Sequence, residues 1–382
     1  MIKMSTKADY EKALKILFKA GGFQFPFSET VHDILKMTIK DENLNFLMAF
    51  ENQISQTMEQ LKQSSGLSEE EILKKADALA KTGVLINQPN RHGVMVYQIF
   101  PLHRQFEYIF MQKLEKTEEN YKIARLFHKL NEEQSNIVQS QYDGMSAALK
   151  RMPPMDRTVP ILENLETGEE INVIINEELE VPTEKILPTQ RIRELIEKYD
   201  DIAVGYCYCR QHQELLGNPC KQIELIPTCM TLGKSARHTS NHGFSELVSK
   251  EEALEILKKC EDAGLVHKAY HKYGDSSTEE VAICNCCSCC CMTARGCLIF
   301  PVVNETNYLA SIDQDLCIGC GTCVEKCYSH AIELNDDNKA ERIEEYCVGC
   351  GVCAYHCPEN AISLIEGPRM VRMLPPKKEL KV

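Results

Sequence analysis

Between Cys317 and Cys357 the chain uses one cysteine spacing twice. The first copy reads Cys317-Ile-Gly-Cys320-Gly-Thr-Cys323-Val-Glu-Lys-Cys327. The second reads Cys347-Val-Gly-Cys350-Gly-Val-Cys353-Ala-Tyr-His-Cys357, followed by Pro358. In this C-x2-C-x2-C-x3-C run, three thiolates hold one [4Fe–4S] cluster and the fourth crosses to a second cluster. The spacing predicts that Cys317, Cys320, Cys323 and Cys357 hold one cluster, and that Cys347, Cys350, Cys353 and Cys327 hold the other. A cubane needs thiolates converging from several directions, so the backbone must curl around it. Gly319, Gly321, Gly349 and Gly351 permit that curl and bring backbone N–H groups toward the sulfurs. A zinc site or a disulfide knot would not call for eight cysteines at a doubled spacing.

Over roughly residues 309–366 the stretch resembles the bacterial-type two-cluster ferredoxins. Tyr328 stands where that pattern expects proline after Cys327, a small departure.

The remaining composition agrees with a metal-rich intracellular chain. It has 382 residues, 20 of them Cys, and a net charge of −13. The length predicts several domains, and reduced thiolates imply a reducing, cytoplasmic setting. The first residues lack the apolar core of a signal peptide, and no apolar run approaches the 18 or so residues of a membrane span. Clusters in this number also suit an anaerobic cell.

Apolar residues recur at helical spacing over residues 9–63, as in Leu14, Leu17 and Phe18, then Leu44, Leu47 and Met48. Ser68 and Glu71 form a predicted capping box, Ile72, Leu73, Ala76, Leu79 and Ala80 one apolar face, and Gly83 a C-cap. Val84–Ile86 and Val94–Phe100 read as two strands around a turn. Helix, turn, helix and two-stranded wing together resemble the winged helix-turn-helix domains of small transcription regulators. The first turn of the candidate recognition helix, however, is Ser68-Glu69-Glu70-Glu71, and residues 1–150 balance 19 Lys+Arg against 19 Asp+Glu. That is not the basic footprint of a DNA binder, and Lys62, Arg91 and His92 are a thin supply. Docking or dimerisation is the expected role, and DNA binding the lesser alternative.

Residues 103–150 read as one or two long polar-faced helices, a packing arm or a dimer element. Prolines at 153, 154, 160, 182 and 188 mark a boundary, with Ile171–Ile175 strand-like inside it. A short helix over 191–199 and a strand over 202–205 lead into Cys207-Tyr-Cys209-Arg210. Cys220 and Cys229 complete a C-x-C-x10-C-x8-C pattern. Four soft ligands in 23 residues suit an iron–sulfur cluster, with zinc or plain buried cysteines as alternatives. Arg210 and Lys221 are placed to offset thiolate charge. Ser249 to Gly264 repeats the spacing of Ser68 to Gly83, so this is either a second winged-helix-like fragment or an ordinarily capped helix. Cys260 falls on its core face and reads as a small hydrophobe. Then come Cys284, Cys286, Cys287, Cys289, Cys290, Cys291 and Cys297, seven thiols in 14 residues. Adjacent residues of an extended chain point apart, so one cubane is not expected to use them all. At least one cluster is expected here, and some of these thiols are candidates to complete the Cys207 site.

Cys207-Tyr-Cys-Arg, Asn-Pro-Cys220, Thr-Cys229-Met-Thr-Leu-Gly-Lys, Gly264-Leu-Val-His267 and Ile283-Cys-Asn-Cys-Cys-Ser-Cys-Cys-Cys resemble a family of anaerobic bacterial and archaeal iron–sulfur proteins. The resemblance runs over nearly the whole length. It implies an electron-transfer or oxidoreductase-associated role without a defined substrate. The expected fold is α+β and multidomain: a winged-helix-like domain over 1–110, a helical arm over 111–152, a Cys-rich iron–sulfur domain over 153–305, a two-cluster ferredoxin domain over 306–366 and a tail over 367–382. An electron carrier docking a basic redox partner leads, since residues 311–366 hold 11 Asp+Glu against 3 Lys+Arg. A redox-sensing regulator, or an oxidoreductase with its substrate at the Cys284–Cys297 stretch, are the alternatives. His212, His238, His242 and His267 are available to such an enzyme but are expected to be ordinary core or surface residues. No Rossmann fingerprint or P-loop appears.

Overall fold

A computed structural model describes residues 5–22, 24–90, 92–154, 156–174, 189–272, 278–296 and 301–377. The first elements are α1 (Lys7–Lys19), α2 (Glu29–Thr38), α3 (Asp41–Met48), β1 (Ser55–Thr57), α4 (Met58–Ser65), α5 (Glu69–Ala80), β2 (Leu85–Pro89) and β3 (Met95–Ile99). Thr6, Ser28, Thr57 and Ser68 each cap a helix, their hydroxyls accepting from the backbone N–H three residues on. The Ser68–Glu71 capping box is present, and Ile72, Ala76, Leu79 and Ala80 are buried. Leu73 is not on that face: it is 48% exposed. Gly83, at φ 71°, lies two residues beyond the cap residue Lys81 and donates to Ala80 O. β1 interrupts the stretch expected to be helical throughout. Its three residues carry no apolar alternation, and it forms because β3 pairs with it antiparallel, giving the sheet order β1-β3-β2.

After α6 (Leu102–Ile109), the arm consists of α7 (Glu118–Ser140) and α8 (Tyr142–Leu149). It packs within the chain. Glu133 accepts from Ser28 Oγ at 2.7 Å and from Thr30 Oγ1 at 2.5 Å, and Gln139 donates to the Pro376 carbonyl at 3.1 Å.

Then follow β4 (Asp156–Val159), β5 (Val173–Ile174), α9 (Ile192–Glu197), β6 (Ile202–Tyr206), α10 (Tyr208–Leu215), β7 (Pro227–Leu232), α11 (Lys234–Asn241), β8 (Glu246–Val248), α12 (Lys250–Asp262), β9 (Val266–His271), β10 (Glu280–Cys286) and α13 (Met292–Gly296). The last group is β11 (Val302–Ile312), α14 (Thr322–Lys326), β12 (Ile332–Leu334), β13 (Ala340–Arg342), α15 (Val352–Tyr355) and β14 (Ile362–Met373). One nine-stranded sheet, ordered β5-β14-β11-β4-β9-β10-β7-β6-β8, joins the middle and C-terminal regions. β11 runs unbroken through the boundary expected at 305/306. β14 runs through 366/367, so residues 367–373 are strand where a tail was expected. Val371 and Met373 are each 2% exposed, which is why the chain continues as strand there.

α12 repeats the hydrogen bonds of α5. Ser249 and Glu252 form the box; Gly264 N donates to Glu261 O and Leu265 N to Cys260 O, matching Gly83 to Ala80 and Val84 to Leu79. The strands around it, in the antiparallel order β9-β10-β7, follow the pattern β2-β3-β1. The C-terminal region docks on the end of α12: Tyr355 Oη donates to Asp262 at 2.8 Å, and His356 Nε2 lies 2.9 Å from Glu261 O. Among the described residues, no helix is long and apolar enough to cross a membrane.

Candidate metal centres

In the doubled run, tight glycines set the chain path. A Cβ on Gly319 would stand 2.0 Å from Asn338 O, and one on Gly349 2.0 Å from Tyr308 O, at φ 71° and 58°. With the backbone so curled, Cys317, Cys320, Cys323 and Cys357 line one cavity. Cys327, Cys347, Cys350 and Cys353 line a second. The thiols are thus gathered in the crossed sets that the spacing predicts. Backbone N–H groups reach the sulfurs: Ala331 to Cys327 at 3.1 Å, Ala361 to Cys357 at 3.3 Å and Ala340 to Cys317 at 3.4 Å. Four sulfurs per cavity, N–H donors aimed at them and room between them fit a [4Fe–4S] cluster at each. The first cavity is nearer to solvent, with Cys320 and Ile318 exposed. Burial pushes the Cys350 thiol in the second up to about 12.

The middle thiols divide in a way the sequence did not indicate. Cys207 is the N-cap of α10, and Cys209 lies in its first turn, so the pair sits at a strand-to-helix junction. Cys207 meets Cys209, Cys209 meets Cys291, Cys291 meets Cys286, Cys286 meets Cys284, and Cys284 meets Cys229. These six thiols form one connected group. On β10, Cys284 and Cys286 share a side because alternate strand residues do. Hydrogen bonds from Cys209 and Cys286 hold the Cys291 thiol well below its ordinary range, while burial pushes Cys209 well above it.

Cys220 stands apart from Cys207, Cys209 and Cys229. It joins Cys287, Cys289 and Cys290, and the four Sγ atoms all lie within 4.8 Å of one another. The adjacent pair Cys289 and Cys290 therefore converge, with 3.6 Å between sulfurs. The rule of opposite faces fails because residues 288–290 form a turn. Cys260 is fully buried, its thiol pushed up to about 12 by burial. Cys297 lies outside the described residues, as do Arg91 and Ile175.

Buried cations flank the six-thiol group. Arg210, 1% exposed, donates to Asn285 O at 2.9 Å and to Thr228 Oγ1. Burial works against its charge, and nearby thiolate charge, that of Cys207 first, outweighs it. Its Nε is buried with no hydrogen-bond partner among the described residues. On another side Lys268 pairs with Asp156 at 3.0 Å, both side chains fully buried, and Tyr270 Oη donates to the same carboxylate at 3.2 Å. Lys268 Nζ sits 4.9 Å from the centre of the Tyr328 ring, and Tyr328 Oη lies 3.5 Å from Cys291 Sγ. Tyr328 is 1% exposed. Arg210 was expected near thiolate. Lys268, Asp156, Tyr270 and Asn285 were not, and nothing local in the sequence marks them. Tyr328 had a signal: it occupies the position of the expected proline.

Three of the four histidines hydrogen-bond within the fold, while both ring nitrogens of the buried His238 lack a partner among the described residues. His212 Nε2 lies 3.0 Å from Ala124 O; His267 bridges Asn285 Oδ1 and Glu261 Oε1; His242 Nε2 contacts Asn87 Oδ1 at 2.8 Å and its ring faces His238.

Residues 310–364 match a family model described as a 4Fe-4S dicluster domain. The chain is also similar to a protein named "Probable ferredoxin" of Methanosarcina thermophila, 53% identical over 32 residues, 8% of this chain and 55% of that protein. The match thus spans about half the length of that relative. No solved structure matches the chain. The C-terminal region is accordingly a 4Fe-4S dicluster, ferredoxin-like domain.

Proposed function

We propose that this chain is an iron–sulfur electron-transfer protein, relaying single electrons between a redox partner and the six-thiol centre of its middle region. [4Fe–4S] clusters, when bound, supply one-electron chemistry tuned by hydrogen bonds and burial. Cys317, Cys320, Cys323 and Cys357 would hold one; Cys327, Cys347, Cys350 and Cys353 the other. Cys207, Cys209, Cys229, Cys284, Cys286 and Cys291 would hold further iron. The observation that carries this reading is the contact between Tyr328 Oη and Cys291 Sγ. Tyr328 directly follows Cys327, so a ligand of the second ferredoxin centre and a thiol of the middle group flank one buried ring. Arg210 and Lys268 balance negative charge there, and Tyr270 and Tyr328 keep water away. On the other side, the exposed edge near Cys320, with Leu316 and Ile318 at 52% and 62% exposure, suits docking. The excess of 11 acidic over 3 basic residues across 311–366 selects a partner with a basic surface.

The N-terminal order β1-α4-α5-β2-β3 favours a winged-helix-like reading, and with it the alternative of a redox-sensing regulator. We assign this domain to protein docking or homodimer formation. Glu69, Glu70 and Glu71 open α5, and Lys62 is already engaged by Glu59 at 3.1 Å and Glu69 at 2.7 Å. An oxidoreductase with its substrate at the six-thiol centre is the other alternative, in the same cytoplasmic, anaerobic setting.

The test is iron and acid-labile sulfide analysis with EPR on protein purified anaerobically. We expect iron and sulfide beyond the needs of two cubanes, and a reducible signal that disappears in Cys291→Ser while the ferredoxin signals persist. Iron sufficient for two cubanes only, with no signal sensitive to Cys291, would overturn the relay.

A further inference from the structure

Cys220, Cys287, Cys289 and Cys290 belong neither to the ferredoxin cavities nor to the six-thiol group. Cys220 to Cys289 and Cys289 to Cys290 are both 3.6 Å between sulfurs. Four sulfurs bound at about 2.3 Å to one tetrahedral ion stand about 3.8 Å apart. A cubane attaches each thiolate to a different iron and spreads them more widely. The spacing therefore fits one ion and not a cluster.

The surroundings fit the same answer. Every donor in the group is a thiol. Cys260 and Leu265, both fully buried, pack against it with Ile223, Ile256 and Ala263, so its inner side is apolar. Two backbone N–H groups orient the sulfurs: Lys221 donates to Cys289 at 3.5 Å and Cys290 to Cys287 at 3.3 Å. Gln222 secures both ligand segments. Its Oε1 accepts from Ser288 N at 2.8 Å, and its Nε2 donates to Gly264 O at 3.1 Å.

We propose that Cys220, Cys287, Cys289 and Cys290 form a closed, mononuclear tetrahedral zinc site. Four thiolates leave no position for water or substrate, which is the coordination of a structural zinc. Tetrahedral sulfur suits zinc or iron, and at a given site Zn²⁺ binds more tightly than Fe²⁺. The ion fastens the loop after α10 to the turn after β10. That turn leads directly into Cys291, so the zinc fixes the approach of one thiol of the six-thiol group.

The experiment uses full-length protein purified anaerobically, with zinc, iron and sulfide measured per chain and zinc K-edge X-ray absorption. We expect one zinc per chain bound by four sulfurs at about 2.3 Å. Cys220→Ser should lose that zinc with iron and sulfide unchanged, and Cys220→His should retain it. The wild-type absorption data stand even if a variant folds poorly. Iron and sulfide falling together in Cys220→Ser would overturn the site as mononuclear, and one iron without sulfide in place of zinc would overturn the choice of metal.

Discussion

Replacing Tyr328 by Phe removes one oxygen and little else. The ring remains, and with it the packing under Lys268 Nζ. Burial first, and the nearby Cys291 charge second, push the phenol well above its ordinary range, so it stays protonated and donates. What is lost is an O–H···S hydrogen bond of 3.5 Å. Hydrogen bonds to charged groups contribute about 1.5–3 kcal/mol, and sulfur at this distance is a weak acceptor, so about 0.5–1.5 kcal/mol is a fair magnitude. Such a bond favours the more negative state of whatever Cys291 holds. Without it, reduction becomes harder. At about 59 mV per 1.4 kcal/mol for one electron, the midpoint of the middle centre should fall by about 20–60 mV. The ferredoxin centres should move less, since Cys327 Sγ takes its hydrogen bond from the Ala331 N–H. EPR-monitored redox titration of both proteins measures this directly. An unchanged middle potential, or a shift confined to the ferredoxin signals, would refute the reasoning.

Four further outcomes are expected. Cys327→Ala should damage the centre of Cys347, Cys350 and Cys353 and spare that of Cys317, which EPR of the variant can decide. Truncation after Glu366 removes the β14 residues that pair with Val302–Thr306; thermal melting and limited proteolysis should show loss of the sheet junction, not the silence of a trimmed tail. Lys268→Met leaves the Asp156 carboxylate buried without its cation and should cost about 3–5 kcal/mol in denaturant titration, with much of it recovered in Lys268→Met/Asp156→Leu. In a gel-shift or anisotropy titration with genomic fragments at moderate salt, in both redox states, duplex DNA should bind weakly, because Glu69, Glu70 and Glu71 open α5 and Lys62 is already paired; sub-micromolar, sequence-dependent binding would favour the regulator instead.

The ferredoxin end was legible because its chemistry is local. Spacing within one run of about a dozen residues decides which thiols can curl together, and a repeat of that run decides the crossing. The middle region was not, since its thiol groups are set by register. Cys229 meets Cys284 because β7 and β10 pair antiparallel, and Cys220 meets Cys287 because a loop far away in sequence folds over a turn. No pattern within C-x-C-x10-C-x8-C separates Cys220 from its neighbours. The N-terminal helices followed from their apolar period, and α5 also from its capping box. β1 escaped notice because a three-residue strand exists only through its partner, and Leu73 was misplaced because an apolar period marks a face without marking its edges.

The placement of β14 has a consequence for how the protein is made. This strand lies between β5 and β11, so Val173 must wait for Leu364, 191 positions later (364 − 173), before its ladder can close. Pairings of such long range are slow, and N-terminal segments fold first during synthesis. The middle thiols therefore emerge and collapse before the strand that completes their sheet is available. If these thiols take up iron as proposed, its delivery competes with that closure, and growth conditions that starve iron during translation should leave a trapped, incompletely paired population distinct from protein stripped of metal after folding.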